Sequence, residues 1–174
     1  VTGGNGFIGS NLITFLLKKN FFVINIDKNK YTKKSYLLKN LSKKKYKFYK
    51  MDIGNKNILS IFKKYKPVAI FNLAAETHVD RSIEKPQEFI SSNILGPFNV
   101  LEQIRNYQKI FRKNIRLIHI STDEVYGDIK NNERSNERSQ YLPSSPYSAS
   151  KASPDHLVTS YSRTYCIDAV ISNC

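Results

Sequence analysis

The sequence has few cysteines and no long hydrophobic run. Of its 174 residues only Cys166 and Cys174 are cysteines. Two cysteines without ligand-type spacing supply neither a disulfide framework nor a metal site, and they are typical of a reducing compartment. The longest apolar runs, such as residues 21–24, are far shorter than the roughly 20 residues that span a bilayer, and no charged-then-apolar leader opens the sequence. We therefore expect a cytoplasmic protein without a metal and without a membrane partner.

Acidic residues are scarce in the first third of the chain. Residues 1–66 contain 16 lysines, no arginine and only Asp27 and Asp52 as acids, so this third carries the whole net charge of +14. Such a block can bind nucleic acid or another anionic surface. However, the lysines are not accompanied by an interleaved pattern of arginine together with aromatic residues. Several lysines also fall where helices are expected to end, and cations at these ends stabilise the helix dipole. The pattern favours a solvated surface and no nucleic-acid partner.

Apolar periodicity predicts strands and helices in alternation. We expect the end of a strand at residues 1–2 and helices that begin near residue 8 and cover 55–65, 86–107 and 146–164. Ser145 is placed to cap the last helix, Pro146 fits its first position, and Pro154 is expected to kink it. Further strands are predicted at 22–27, 46–51, 68–73, 115–122 and 167–172. This alternation predicts an α/β fold with a doubly wound, mostly parallel, Rossmann-like sheet.

Both ends of the sequence lack parts that such a fold contains. Only two residues precede the first glycine turn, whereas a strand usually has about five or six. The last predicted strand is followed by no region that could cover a substrate. We therefore expect residues 1–174 to be one cofactor-binding domain, a fragment with a truncated first strand and without a C-terminal substrate-binding region.

A glycine-rich turn follows the first strand and opens a helix. Gly3, Gly6 and Gly9 fit the pattern in which glycines permit a tight turn, let the backbone approach a pyrophosphate, and let the helix pack on the strand. Asp27 follows 18 residues after Gly9 and ends the next strand, where a carboxylate can bind the ribose hydroxyls of NAD. It would repel the 2′-phosphate of NADP. Lys28 could soften that repulsion, so the pattern favours NAD without excluding NADP.

A phenol and an ammonium share one face of the last helix. Tyr147 and Lys151 are four residues apart, and a neighbouring ammonium favours the phenolate form of a tyrosine, which can then act as a base. Thr122, Asp123 and Glu124 follow a strand at the edge where doubly wound sheets bind ligands. Taken singly these are ordinary turn and strand residues; together with the glycine turn they indicate an active site.

These motifs resemble those of the extended short-chain dehydrogenase/reductases. The similar segments are residues 2–9, 72–82, 121–127 and 144–151. Among these enzymes the chain resembles the branch that dehydrates nucleotide-activated hexoses, because epimerases and decarboxylases of the superfamily typically lack the acid pair Asp123 and Glu124. The resemblance implies NAD as cofactor, a nucleotide-sugar substrate, and a homodimer of the full-length protein through helices 86–107 and 146–164.

The resemblance also implies roles for individual residues. Tyr147 would take the C4 hydroxyl proton while Thr122 hydrogen-bonds the same oxygen, Glu124 would remove the C5 proton, and Asp123 would protonate the departing C6 hydroxyl. Two close acids in a partly desolvated site can divide these tasks because their pKa values separate. Thr77 is implied as a further substrate contact. The implied cofactor contacts are Gly3, Gly6, Phe7, Ile8, Gly9, Asp27, Lys28, Asp52, Ile53, Leu73, Ala74, Ala75, Ser92, Tyr147 and Lys151.

Three hypotheses follow. The first is a 4,6-dehydratase of a nucleotide-activated hexose. The second is a 4-epimerase or decarboxylase of the same superfamily, and the third is a non-catalytic fragment that binds NAD or nucleic acid. His78, His119 and His156 have no ligand-like spacing, and we interpret them as structural or solvent-facing.

Overall fold

The computed structural model describes residues 1–29, 38, 44–129 and 134–174. Most of the lysine-rich segment between the first two long strands lies outside these residues. The described helices are α1 (Phe7–Lys18), α2 (Ile58–Tyr65), α3 (Val79–Glu84), α4 (Pro86–Phe89), α5 (Gly96–Phe111) and α6 (Pro146–Tyr165). The strands are β1 (Val23–Asp27), β2 (Tyr46–Lys50), β3 (Ala69–Asn72), β4 (Arg116–Ser121) and β5 (Ala169–Asn173).

All strand pairs are parallel. β1 pairs with β2, and β3, β4 and β5 pair in that order. Thr2 joins the two groups through parallel bridges to Ile26 and to Asn72. Residues 1 and 2 therefore act as the central strand between β1 and β3, which confirms the predicted Rossmann-like sheet and places the glycine turn at its centre.

Among the described residues, the hydrophobic core consists of two clusters. The larger one packs apolar residues of α2, α5 and α6, among them Phe62, Ile104 and Val158, against β1, β3 and β4. The smaller one packs Ile13 of α1 against Val23 of β1. Burial of these side chains supplies the main driving force that holds the helices on the sheet.

The helix predicted at 86–107 is longer and interrupted. After α4 the backbone forms a π-helical segment, Ile90–Leu95, before α5 continues to Phe111. Such segments shift the register of side chains and often occur at functional sites. Here Ser92 and Asn93 are both buried, and Ser92 lines the cavity described below. Helix α3 was not predicted.

Helix α6 begins as the sequence predicts. The Ser145 hydroxyl accepts a hydrogen bond from Ser148 N, and the Ser148 hydroxyl accepts one from Ser145 N, which completes a capping box. The helix continues through Pro154 to Tyr165. The proline therefore does not end the helix that carries Tyr147 and Lys151.

Candidate cofactor and active site

The glycine turn is shaped by close backbone contacts. Gly3 has φ of +65°, and a Cβ atom there would lie 2.7 Å from Ala74 N. A Cβ on Gly9 would lie 2.4 Å from Gly3 O. Helix α1 then begins at Phe7 with Gly6 as N-cap and no side-chain cap. Its first amides are therefore available to an anion, which is the arrangement that binds a pyrophosphate.

Asp27 lies at the end of β1 beside this turn. Its carboxylate accepts hydrogen bonds from Asn5 N at 3.0 Å and from Asn29 N at 2.6 Å. These contacts fix the carboxylate at the carboxyl edge of the sheet, where a dinucleotide fold recognises the adenosine ribose.

One cavity of about 580 Å³ runs along this edge of the sheet. This volume is in the range typical of cofactor sites. Every residue that the sequence analysis named as a cofactor or substrate contact lines it. These residues are Gly3, Gly6, Phe7, Ile8, Gly9, Asp27, Lys28, Asp52, Ile53, Leu73, Ala74, Ala75, Thr77, Ser92, Thr122, Tyr147 and Lys151.

Phe7 and Ile8 line the cavity and do not belong to the hydrophobic core. Phe7 is 86% exposed and Ile8 is 55% exposed, whereas the buried residues of α1 are Gly9, Ser10 and Ile13. Apolar side chains that line a cavity and remain exposed provide contact area for a ligand.

Tyr147 and Thr122 meet at the reactive end of the cavity. Both residues are buried and line the cavity. Burial raises the pKa of Tyr147, the charge of Glu124 acts in the same direction, and the nearby Thr122 side chain opposes the shift. The expected effect of Lys151 on this phenol is therefore not seen in the protein alone.

Lys151 makes a different contact from the one expected. Its Nζ donates a hydrogen bond to Ile120 O at 2.6 Å, at the end of β4. Burial lowers the pKa of Lys151 to about 8, and the charge of Asp155 opposes this shift. The lysine therefore holds its charge near neutral pH in a buried position on the cavity wall.

Asp123 and Glu124 lie in a 3₁₀ turn, Asp123–Tyr126, directly after Thr122. Both side chains are exposed, and neither is among the residues that line the cavity. The expected partly desolvated environment of this acid pair is therefore wrong for the chain as described. Thr122 does hold the turn, because its hydroxyl accepts a hydrogen bond from Glu124 N.

A buried polar network lies behind the reactive residues. The Asp155 carboxylate accepts hydrogen bonds from the Ser121 hydroxyl at 2.6 Å and from the Tyr141 hydroxyl at 3.1 Å. Asn72 Nδ2 lies 3.0 Å from Nδ1 of His119, and the Thr2 hydroxyl donates to Asn72 Oδ1 at 2.6 Å. The network ties the glycine turn to the helix that carries Lys151.

Sequence reasoning missed several cavity residues. Glu76, His78 and Arg81 line the cavity, although the sequence analysis assigned no site role to Glu76 or Arg81 and interpreted His78 as structural or solvent-facing. The segment 72–82 contains all three, and a glutamate directly after a buried strand was the available signal. Of the histidines, His119 is buried, and His78 and His156 are exposed.

The chain is similar to known nucleotide-sugar enzymes. A family model described as GDP-mannose 4,6 dehydratase matches residues 1–174. The dTDP-glucose 4,6-dehydratase of Haemophilus influenzae is 46% identical over 181 residues, which cover 99% of this chain and 54% of that protein. The chain therefore spans about half the length of the curated relatives it matches.

Solved structures share the fold. The dTDP-glucose 4,6-dehydratase DesIV of Streptomyces venezuelae, crystallised with NAD, superposes with a TM-score of 0.89 at 34% identity, covering 99% of this chain and 54% of that chain. The UDP-glucose 4-epimerase of Thermus thermophilus, also with NAD, gives 0.86 at 31% identity and covers 99% and 53%.

Two kinds of feature are absent from the described ranges. Within them, no helix combines the length and the apolar character needed to cross a membrane. The same residues contain no group of three or more His, Cys, Asp or Glu side chains arranged to hold a metal ion.

Proposed function

Because this chain belongs to the GDP-mannose 4,6 dehydratase family, we propose that its protein is an NAD-dependent dehydratase of a nucleotide-activated hexose. The reaction we infer converts dTDP-glucose to dTDP-4-keto-6-deoxyglucose. The observation that carries the proposal is that Thr122 and Tyr147 are both buried on the wall of the cavity that begins at the glycine turn, with Asp123 and Glu124 directly following Thr122.

The residues present fit NAD. The free amides at the start of α1 suit its pyrophosphate, and Asp27 suits the adenosine ribose. A Cβ at Gly3 or Gly9 would clash with backbone atoms, so the turn can take only this narrow shape. Lys151 on the cavity wall is placed to hold the nicotinamide ribose. NAD held in this way would supply a hydride acceptor for the oxidation at C4 of the sugar and a hydride donor for the reduction at C6.

Tyr147 and Thr122 would handle the proton at C4. Tyr147 takes the proton of the C4 hydroxyl, and Thr122 hydrogen-bonds the same oxygen, so that the oxygen is oriented while a ketone forms. Because burial raises the pKa of Tyr147, the phenol needs positive charge nearby to act as a base near neutral pH. The Lys151 ammonium and a cationic nicotinamide ring would supply it.

Asp123 and Glu124 would remove water. The C4 ketone acidifies the C5 proton, which Glu124 takes, while Asp123 protonates the departing C6 hydroxyl. When a hydride then adds at C6, Glu124 returns a proton to C5. Both side chains are exposed in this chain. They therefore need a substrate, and the part of the protein that covers it, to become desolvated and to divide the roles of acid and base.

We further propose a cytoplasmic homodimer that binds its nucleotide-sugar substrate and no nucleic acid. Support for the dimer comes from apolar side chains that remain exposed along one helical stretch, Ile90, Leu95 and Phe98. Exposed apolar residues grouped in this way are typical of subunit contacts.

The test is an assay of the full-length protein with dTDP-glucose. We expect a product lighter by one water, identified by mass spectrometry, and loss of that product in the double variant Asp123→Asn, Glu124→Gln. Glu137→Gln changes an exposed acid of a surface loop and serves as the matched control. Formation of an epimer without loss of water would contradict the proposal.

A 4-epimerase is the second candidate, because an epimerase shares the fold at a TM-score of 0.86. An epimerase would keep its activity in the double variant at positions 123 and 124, since it needs no elimination. The third hypothesis, a non-catalytic basic fragment, would apply if the protein showed neither activity. Such a protein would not be stabilised by NAD and would bind DNA with steep salt dependence.

A further inference from the structure

Lys28 and Glu76 meet across the cofactor cavity. Lys28 follows β1 and Glu76 follows β3, the two strands on either side of the segment that leads into the glycine turn. Lys28 Nζ lies 2.6 Å from Glu76 Oε1, and both residues line the cavity. The ion pair therefore connects two loops at the carboxyl edge of the sheet, next to Asp27.

Glu76 is held rigidly. Its backbone N donates to Asn93 Oδ1 at 2.8 Å, and Asn93 Nδ2 donates to Glu76 O at 2.9 Å and to the Ser150 hydroxyl at 2.9 Å. The Glu76 side chain is only 4% exposed, whereas that of Lys28 is 32% exposed. The carboxylate is thus the buried member of the pair, and the lysine is the more exposed one.

Glu76 also contacts a second cation. Arg81 Nη1 lies 3.6 Å from Glu76 Oε2, a longer contact than that of Lys28. If the ammonium of Lys28 moved to another anion, the buried carboxylate would lose its short, charge-assisted hydrogen bond. Removing one partner from a buried ion pair is unfavourable, so Lys28 resists transfer to another anion.

Lys28 lies where a cation could contact the 2′-phosphate of NADP. In dinucleotide folds the acid at the end of this strand binds the ribose 2′-hydroxyl, and a cation beside it accommodates a 2′-phosphate. Asp27 is that acid, and Lys28 is the adjacent residue. A 2′-phosphate would need the Lys28 ammonium, which is already bound by Glu76.

We propose that Glu76 is a specificity-determining residue: by holding Lys28, it withholds a cation from the 2′-phosphate and makes the cavity select NAD over NADP. This inference rests on the proposed use of NAD by the same cavity. Asp27 disfavours NADP by directly repelling its 2′-phosphate. Glu76, at the end of another strand, is a second acid that favours NAD.

The test measures the dissociation constants of NAD and NADP for the full-length protein after bound nucleotide has been removed. Glu76→Gln keeps the backbone contacts with Asn93 and removes the charge that holds Lys28. We expect the ratio of the NADP constant to the NAD constant to fall about tenfold or more, because a charge-assisted bond to phosphate forms. Adding Lys28→Met to this variant should restore the wild-type ratio to within about threefold.

Glu88→Gln is the matched control, because Glu88 is also within salt-bridge distance of Arg81 and the variant makes the same change in net charge. An unchanged ratio in Glu76→Gln would overturn the inference. So would an equal fall in Glu88→Gln, or a fall that persists when Lys28 is replaced. If Glu76→Gln does not fold, Lys28→Met alone decides: a ratio within about threefold of wild type supports the inference, and a tenfold rise contradicts it.

These outcomes are separable from those of the proposed function. A wild-type protein that binds neither nucleotide would contradict the use of NAD itself. A wild-type protein that binds NAD and dehydrates the sugar, but whose ratio does not respond at Glu76, would contradict only the inference.

Discussion

Nε2 of His119 lies 3.5 Å from Oδ1 of Asp155, and among the described residues neither atom has a hydrogen-bond partner. The other ring nitrogen, Nδ1, faces the amide nitrogen of Asn72, because the Asn72 oxygen accepts from Thr2. Nδ1 is therefore the acceptor, and the neutral ring carries its proton on Nε2, directed at the carboxylate. The contact completes a polar chain from the glycine turn to α6.

This arrangement predicts a pH-dependent stability. Burial lowers the pKa of His119 to about 3, and the charge of Lys151 acts in the same direction. In the unfolded chain the ring titrates near 6.5, so between about pH 6.5 and about pH 3 the unfolded state binds more protons and stability falls as pH falls. In His119→Asn this contribution disappears. The free energy of unfolding of His119→Asn is expected to lie below that of wild type, and this difference should shrink by about 1.4 kcal/mol per pH unit below about pH 6.

Urea unfolding of the full-length protein at about pH 7 and about pH 5 measures this difference. His78→Asn provides the control, since His78 is exposed. If both variants show the same change between the two pH values, the buried ring is not responsible.

Asp155 should matter more for stability than any one of its partners. Asp155→Ala leaves the hydroxyls of Ser121 and Tyr141 without their acceptor, so we expect a loss of about 3 kcal/mol in the free energy of unfolding. Tyr141→Phe removes one donor and keeps the carboxylate, so its loss should be about 1 kcal/mol. Equal losses in both variants would show that the carboxylate is not the centre of the network.

Loss of the Lys151 charge should lower the activity at alkaline pH. Because burial lowers its pKa to about 8, the ammonium loses its charge as the pH rises through that value. We expect kcat/KM of the full-length enzyme to fall above about pH 8. Lys151→Arg keeps a charge at all these pH values. Its residual activity should lack this decline, and a decline at the same pH in the variant would assign it to another group.

Alanine variants at Gly9 and Gly6 should distinguish an effect on the packing of the turn from an effect on NAD binding. A Cβ at Gly9 would lie 2.4 Å from Gly3 O, whereas one at Gly6 would meet the same atom at 3.3 Å. Gly9→Ala should therefore lower the free energy of unfolding by about 2 kcal/mol and Gly6→Ala by less than about 1 kcal/mol. Both should weaken NAD binding, because the backbone must approach the pyrophosphate closely. Equal destabilisation by the two variants would contradict this steric account.

Local signals predicted much of the fold and the site. Period-two and period-3.6 patterns located every long strand and helix, and the order of strands with helices implied a parallel sheet. Helix α3 and the π-helical segment Ile90–Leu95 were missed, since a six-residue helix and a shifted register leave little trace in periodicity. The exposure of Asp123 and Glu124 was also not predictable, because it depends on which surfaces lie opposite the turn.

The sequence by itself determined the order of elements, the glycine turn, and the acid, hydroxyl and phenol at the ends of strands and on one helix. These features depend on residue type and spacing over a few turns of chain. The tertiary structure decided which distant groups meet: Lys28 with Glu76, Lys151 with Ile120 O, and Asp155 with Ser121 and Tyr141. Such pairs join residues far apart in the chain, and their charge states follow from burial, which exists only when the sheet and its helices are packed.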